Sequence, residues 1–456
     1  MIQMSRRWLL GLPVLGAAAA GFAHHLQPPP HRSTIEVDAR HLLAQESPIY
    51  DTSFAAFASR LSLGAGDELV IRACAPFKVD AAILRVAWSD SATVGRRVHT
   101  STDIDVHGGD PAADPLEWPV ALRCPVTRDW ESGLYAAVLV DRDEPSRRRF
   151  APFVVRAPIG DARIVVTVPF TTYHAYNAWG GASLYSYNSP AGTAAVLPIG
   201  RPFDVFDGAG FMFYGDWQLA RWLDRERYTV SYITSYDLHR DPRVLDGAAV
   251  VVTAFHDEYW STPMRQRLEE FIAAGGNAVF LAANSIYWRI RLDDTTMTCH
   301  KASSVADDPD PDVTALWRSP LIGEPEHLIL GSQYQGYDFP YGKGYDWTVA
   351  ADDHWMYRGT GLSNGMTLPG LVGYEWDNAP RPIPDGVTVL ARTEFVDSDG
   401  DAGRHEATER ILPDGGTVVN VGTTYWPRFL LGGGAFRADT AVQQMTHNLL
   451  RRLGRS

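Results

Sequence analysis

The sequence predicts an all-β unit followed by a doubly wound α/β unit, and three observations carry that expectation. From about 46 to 157 the apolar runs are short, as in DELVIRACAPFKVD and AAILRVAWSD, and Leu84, Val86 and Trp88 recur with period two. After Pro158 the runs become continuous (ARIVVTVPF, GAAVVVTAF, NAVFLAAN), as expected of strands buried on both faces of a parallel sheet. Amphipathic helical segments alternate with these runs, the signature of a doubly wound sheet. The length of 456 residues also exceeds what one core fills, since domains run to about 100–200 residues.

The elements follow in order. Residues 1–23 read as an export signal: Arg6-Arg7 precede an apolar stretch too short to span a bilayer, and small residues end at Ala23. The paired arginines resemble a twin-arginine signal, which places the mature chain in the periplasm or outside the cell. Residues 24–45, with HHLQPPPHRST, read as a linker. Residues 46–157 form the expected β-sandwich, with Ser132-Gly133 as a turn and FAPFVVRAP as a closing edge strand. Residues 158–456 form the α/β unit. Within it, YGDWQLARWLDRE places Leu219, Trp222 and Leu223 on one helical face. STPMRQRLEEFIAAGG is a second helix, with Ser261 or Thr262 as cap, Pro263 in the first turn and Gly275-Gly276 as the stop. Its apolar face is Met264, Leu268, Phe271 and Ile272. From about 293 to 409 the period is lost amid Asp, Pro, Gly and aromatics, which reads as an irregular insertion. GTVVNVGT and ADTAVQQMTHNLLRRLG then restore a strand and a closing helix.

Composition excludes some functions. Hydrophobic residues at 45% and charged residues at 21% are ordinary for a globular chain, and a net charge of −13 argues against a nucleic-acid partner. No later segment has the length of a membrane span. Cys74, Cys124 and Cys299 show no Cys-x-x-Cys spacing; Cys74 and Cys124 either pair in an oxidising compartment or are buried thiols. DSDGDAG (Asp397–Gly403) alternates aspartates like a calcium loop, but the sixth and twelfth positions are Ala402 and Thr408 where an EF-hand needs Gly and Glu, so it reads as a hairpin turn. GASLY fails the nucleophile elbow at its last position, and Ser183 precedes no clear helix.

The chemistry concentrates where strands end, because open α/β sheets bind ligands beyond their carboxyl edges. GAAVVVTAF runs into His256, Asp257 and Glu258 just before a helix. These acids either complement the helix dipole or line a site. VPFTTYHAYNAWGGASLYSYN follows the first buried strand with Tyr173, Tyr176, Tyr185 and Tyr187, and LAAN ends in Asn284. Phenolate and carboxylate are hard donors that suit a highly charged cation; the same groups also suit a hydrogen-bonded aromatic cluster, the commoner outcome for tyrosine.

TTYHAYN, WGGASLY, HDEYWS and AANSIYWR, in this order, resemble the large (β) subunit of N,N-dimethylformamidase and its shorter relatives. DWESGLYAA, FAPFVVRAP, MTCHK…VTALWR and GGTVVNVGTTYW extend the resemblance over about 46–456. It implies a class I glutamine-amidotransferase-like α/β fold behind the β-sandwich. It also implies a mononuclear Fe(III) held by Tyr176, Tyr185 and Glu258, with Tyr173 as the alternative to Tyr176. His256 and Asn284 take the neighbouring catalytic places, as general base and oxyanion donor; Asp257 and Glu375 stand as supporting carboxylates. The function so implied is hydrolysis of an amide C–N bond in a small-molecule substrate, with the metal as a Lewis acid activating water. Trp179 and Trp260 either wall the pocket or pack. The formamidase has a longer segment between the tyrosine motifs, where this chain has eight residues, and it works with a small partner subunit. A small partner subunit and a homo-oligomer both stay open. The competing expectation is a catalytically silent, exported carbohydrate- or peptide-binding protein, for which QYQGYDFPYGKGYDW would supply stacking surfaces. Glutamine-dependent amide transfer ranks last, because no cysteine lies at the HDEYW elbow.

Overall fold

The computed structural model describes residues 52–455 except 89–94, 214, 414 and 434–435. The signal at 1–23 and the linker at 24–45, and the localisation read from them, lie outside the described residues.

Eight strands build the first unit: β1 Ala55–Ala58, β2 Ser62–Leu63, β3 Glu68–Cys74, β4 Val79–Val86, β5 Gly95–Ile104, β6 Val120–Pro125, β7 Gly133–Asp141 and β8 Arg148–Val155. They form a three-stranded sheet, β1-β3-β6, and a five-stranded sheet, β2-β8-β7-β4-β5, antiparallel except for the short β2–β8 pair. Ala56, Ile71 and Leu122 of the first sheet share an apolar layer with Ile83, Tyr135 and Phe153 of the second. The other parity of the five-stranded sheet, including Leu84, Ala136, Val138 and Phe150, joins a second layer with Trp217, Tyr232 and Val252. Every position of β7 is therefore buried. The period two of Leu84 and Val86 separates two apolar layers, not core from water. At roughly 1.5–3 kcal/mol per fully buried large side chain, this doubly covered sheet ties the two units together. Trp88 is partly exposed, with the Arg221 and Arg225 guanidinium groups 5.3 and 5.4 Å from its ring centre.

The remaining strands are β9 Ile164–Val168, β10 Val196–Pro198, β11 Val230–Thr234, β12 Val250–His256, β13 Tyr259–Ser261, β14 Asn277–Ala283, β15 Trp288–Leu292, β16 Thr296–Thr298, β17 Gln333–Tyr337, β18 Tyr345–Thr348, β19 Thr367–Val372, β20 Glu375–Asn378, β21 Val387–Val396, β22 Ala402–Ile411 and β23 Thr417–Asn420. The helices are α1 Phe170–Tyr176, α2 Asp216–Arg225, α3 Ser235–Arg240, α4 Thr262–Ala273, α5 His327–Leu330, α6 Arg428–Leu431 and α7 Thr440–Leu453. Seven strands make the main sheet in the order β11-β9-β12-β14-β23-β22-β21. The first five are parallel; β22 and β21 add antiparallel. Every residue of β9, β12 and β14 is buried. Val252 and Leu281 pack on the face that also buries Leu219, Trp222 and Leu449, whereas Val251 and Phe280 pack with Leu238, Met264, Leu268 and Ile272. Helices thus cover both faces, which is why these strands read as continuous apolar runs. In chain order the five parallel strands lie second, first, third, fourth and fifth, so the connection reverses between β9 and β12. That is the switch point where such sheets open a crevice.

The segment read as an irregular insertion, 293–409, carries regular structure. β16 joins β10, β15 and β13 in a small sheet, β17 pairs with β20, β18 with β19, and β21–β22 widen the main sheet. Short antiparallel ribbons broken by Pro and Gly carry no helical period, so the pattern hid them. Asp397–Gly403 turns the β21–β22 hairpin, and the Asp397 carboxylate accepts from the backbone N–H groups of Asp399 and Asp401. Cys74, Cys124 and Cys299 are free, buried thiols. Cys74 faces Ala55 and Cys124 faces Leu69 in the register, so the two do not pair. Among the described residues no helix is long and apolar enough to cross a membrane.

A candidate tyrosine–glutamate centre at the switch point

Parallel register sets the floor of the site. Thr253 pairs with Thr167 and His256 with Ala283, so His256 leaves its strand beside the start of α1 and next to Asn284. Phe255 and Asn284 both hold left-handed backbone, φ 60° and 53°. Asn tolerates this region, whereas a bulky Phe there costs on the order of 1–3 kcal/mol and marks a constrained turn. Gly215, before α2, leaves room for that turn: a Cβ there would lie 2.5 Å from Phe255 Cβ.

Three oxygen-bearing side chains meet above this floor. Tyr176, at the end of α1, donates to Glu258 Oε2 at 2.7 Å, and the Tyr185 hydroxyl lies 2.9 Å from that of Tyr176 and 3.1 and 3.2 Å from the two Glu258 oxygens. The tyrosine rings stack with centres 4.4 Å apart. Tyr259 donates to Tyr185 at 2.6 Å. Backbone bonds lock the corner: Glu258 N–H donates to Thr172 Oγ1 at 3.0 Å, and its carbonyl accepts from Tyr287 and Trp288 N–H at 2.9 Å. His256 Nε2 lies 3.4 Å from Glu258 Oε2, 3.3 Å from Glu375 Oε2 and 3.3 Å from the Tyr176 hydroxyl.

Burial dominates the electrostatics. It raises Glu258 to about 7, a rise opposed by the charge of Lys301 and the phenol hydrogen bonds. It raises Glu375 well above the carboxylate range, with repulsion from Glu258 adding to it. The Tyr176 and Tyr185 phenols are pushed up by the same desolvation and by Glu258, and His256 is pushed down to about 3. A carboxylate raised toward neutrality, a second raised further and an imidazole pushed down show an enclosed environment able to shift protonation.

The sequence-named residues now separate. Tyr176, Tyr185, Glu258, His256, Asn284 and Glu375 converge. Tyr173 does not: its hydroxyl bonds Asp216. Asp257 turns away, accepting from Thr253 Oγ1 and Trp260 Nε1, both at 2.9 Å, and Ser261 rather than Asp257 caps α4. Trp260 packs near Phe280, and Trp179 packs on Trp118 of the first unit; neither walls the site. The Ser183 hydroxyl bonds Asn188 Oδ1 at 2.6 Å. Sequence reasoning missed Lys301, whose Nζ sits 3.4 Å from the Tyr185 ring centre. Its signal was present in MTCHK, which β16 delivers to the site. It also missed Tyr259, inside HDEYWS, and Asp377, which accepts from Asn284 N–H and Asn420 Nδ2 at 2.9 and 2.8 Å and so holds the Asn284 turn.

The donor set fits one hard cation. Adjacent corners of an octahedron with bonds near 2.0–2.1 Å lie roughly 2.8–3.0 Å apart, close to the spacings of the Tyr176, Tyr185 and Glu258 oxygens. Among the described residues no group of three or more His, Cys, Asp and Glu is arranged to hold a metal, so a cation here would depend on the phenols.

Fold and site together define an α/β protein with an oxygen-rich tyrosine–glutamate centre at its switch point. A family model described as N,N-dimethylformamidase beta subunit-like, C-terminal, matches residues 80–437, and the chain belongs to that family. The N,N-dimethylformamidase beta subunits of Alcaligenes sp and Paracoccus aminophilus are each 31% identical to it over 78 residues, 17% of this chain. The matched stretch spans 10% of the length of each relative. Among solved structures, the mmIFT52 N-terminal domain aligns with a TM-score of 0.29 at 10% identity, covering 50% of this chain and 86% of its own. An uncharacterized protein from Bacillus anthracis str. Ames aligns with a TM-score of 0.17 at 14% identity, covering 30% and 98%. Neither likeness bears on the function.

Proposed function

We propose that this chain hydrolyses amide C–N bonds with Tyr176, Tyr185 and Glu258 as ligands of one hard cation, iron by its family resemblance. The observation that carries the reading is the convergence of the oxygens of those three side chains at 2.7–3.2 Å in a buried site. Bound there, the cation supplies Lewis-acid chemistry, polarising a carbonyl and acidifying water. The chain's own groups do the rest. His256 Nε2, beside Glu258 and Tyr176, is the group placed to take a proton from the attacking water and return it to the departing amine nitrogen. Glu375 Oε2, 3.3 Å from the same nitrogen, orients the ring between those two transfers. The Asn284 amide donates to the developing oxyanion, a role worth roughly 3–4 kcal/mol. The Lys301 charge favours the ionised form of Glu258. The strand order and two-sided helix cover support a glutamine-amidotransferase-like α/β unit, and the name of the curated relatives, a beta subunit, supports a search for a partner subunit.

Metal analysis and visible absorption of purified protein test the reading. A coloured tyrosinate-to-metal band is expected, lost together with amide hydrolysis in Tyr185→Phe and Glu258→Ala. A colourless, metal-free protein that still hydrolyses amides would falsify it.

A further inference from the structure

The buried acids of the centre lie under a layer of aromatic rings that the chemistry above leaves unused. From the His256 ring a path of ring contacts leads outward: to Tyr374 at 6.4 Å, from Tyr374 to Phe339 at 5.5 Å, and from Phe339 to Tyr337 at 5.4 Å. Across the centre, Tyr187 lies 5.7 Å from Tyr185, and Tyr287 lies 5.1 Å from Tyr334. Tyr287 is tied to the centre by its N–H, which donates to the Glu258 carbonyl at 2.9 Å. Accessibility grades along this layer. Glu258 and His256 are buried, Tyr287, Tyr334, Phe339 and Tyr374 are half-buried, and Tyr337 and Tyr187 are 38% and 44% exposed.

Aromatic rings that run from a buried polar centre to solvent offer a surface on which a ligand can seat. The wall offers π faces and edges at spacings that favour a further ring, whose offset or edge-on contacts lie at 4.5–7 Å. A small dialkyl amide seated at the centre would reach only the first ring of the path. A substrate must carry a ring of its own to use the second and third.

Building on the amide-hydrolase reading, we infer that the substrate is an amide bearing an aromatic ring next to the reacting group, held by the wall of Tyr187, Tyr287, Tyr334, Tyr337, Phe339 and Tyr374. Tyr334, Tyr337 and Phe339 come from the aromatic run QYQGYDFPYGKGYDW, and Tyr374 directly precedes β20, which pairs with β17, so that run is a specificity element.

The test compares three formamides: N-benzylformamide, N-(cyclohexylmethyl)formamide, which has the same size without a π face, and N-butylformamide. Benzylamine is the weakest base of the three amines released, so the change of the benzyl-to-butyl ratio in ring variants, where that difference cancels, is the deciding readout. For the metal-loaded full chain, kcat/KM is expected to be about 10-fold higher for the benzyl compound than for the butyl one, which is about 1.4 kcal/mol, and several-fold above the cyclohexyl compound. Phe339→Leu and Tyr337→Leu should shrink the benzyl-to-butyl ratio several-fold. Because it is a ratio, a folding defect shared by all substrates cancels. Equal kcat/KM across the three, or a ratio unmoved in both variants, overturns the inference and leaves the amide-hydrolase reading standing. No turnover of any of the three overturns that reading instead. Ring selectivity is then measured as equilibrium binding of the same compounds by titration calorimetry, where equal affinities overturn the inference.

Discussion

Two corners of one parallel sheet place an acid at a strand-to-helix turn, and they use it differently. After β11, Asp237 takes the Thr234 N–H at 2.8 Å and the Thr234 hydroxyl at 2.7 Å, and pairs with Arg156 at 3.2 Å. With Thr234 it forms a capping box, so each demand of the carboxylate is met by groups that start α3. After β12, Ser261 caps α4 and relieves the acids of that duty. Glu258 is left with phenol partners, with the Lys301 charge acting on it, and with a pKa raised by burial to about 7. An acid at a helix start is structural when its neighbours satisfy it, and available for chemistry when another residue caps the helix. Asp257 belongs to neither class, being a buried carboxyl held by Thr253 and Trp260.

The largest expected effect separates the two corners directly. Glu258→Gln should lower amide turnover by more than roughly 10²-fold, beyond what loss of an outer metal-site contact costs, while the melting temperature holds or rises. Asp237→Asn should do the reverse, costing roughly 1.5–3 kcal/mol with kcat/KM within twofold. If thermal melts and steady-state rates respond alike in both variants, the contrast is wrong.

A second effect is read from pH. Burial raises Asp216 to about 8, and its carboxyl bonds Tyr173 behind the centre. The folded state holds a proton that the unfolded chain releases above about 4. The contribution is therefore fully present below that pH and is lost as pH rises toward 8. Asp216→Asn should flatten this decline and add stability on the order of a few kcal/mol at pH 8, measured by urea unfolding from pH 5 to 8. An unchanged slope would assign the pH dependence elsewhere.

The smallest effect concerns the caps. Thr234→Ala and Ser261→Ala should each cost about 1 kcal/mol in the same unfolding assay, because the two helix starts are capped by equivalent hydroxyls although their acids differ. A much larger loss for Ser261→Ala would show that α4 depends on its corner in a way α3 does not.

Local pattern made much of this legible. The period of 3.6 found α2, α4 and α7, the continuous apolar runs found β9, β12 and β14, and Ser261 and Pro263 announced the start of α4. Tyr176, Tyr185, Glu258, His256 and Asn284 were readable because each follows one of those strands at a recognisable motif. Glu375 was named only as a supporting carboxylate, and the structure sets it against His256. The two faces of the five-stranded sheet were not readable, because period two shows that parities differ without saying what each one meets.

By itself, then, the sequence determined which residues stand at the carboxyl edge of the parallel strands, since burial pattern and capping are encoded within a few residues of one another. Only the tertiary structure decided which of them act together. It moved Asp257 and Tyr173 out of the centre, and it brought in Lys301 from the segment after β16 and Glu375 from β20. It also set Tyr374, just before β20, against the His256 ring. Those placements depend on antiparallel pairings between segments far apart in the chain, and such contacts leave no periodic trace in the residues that make them.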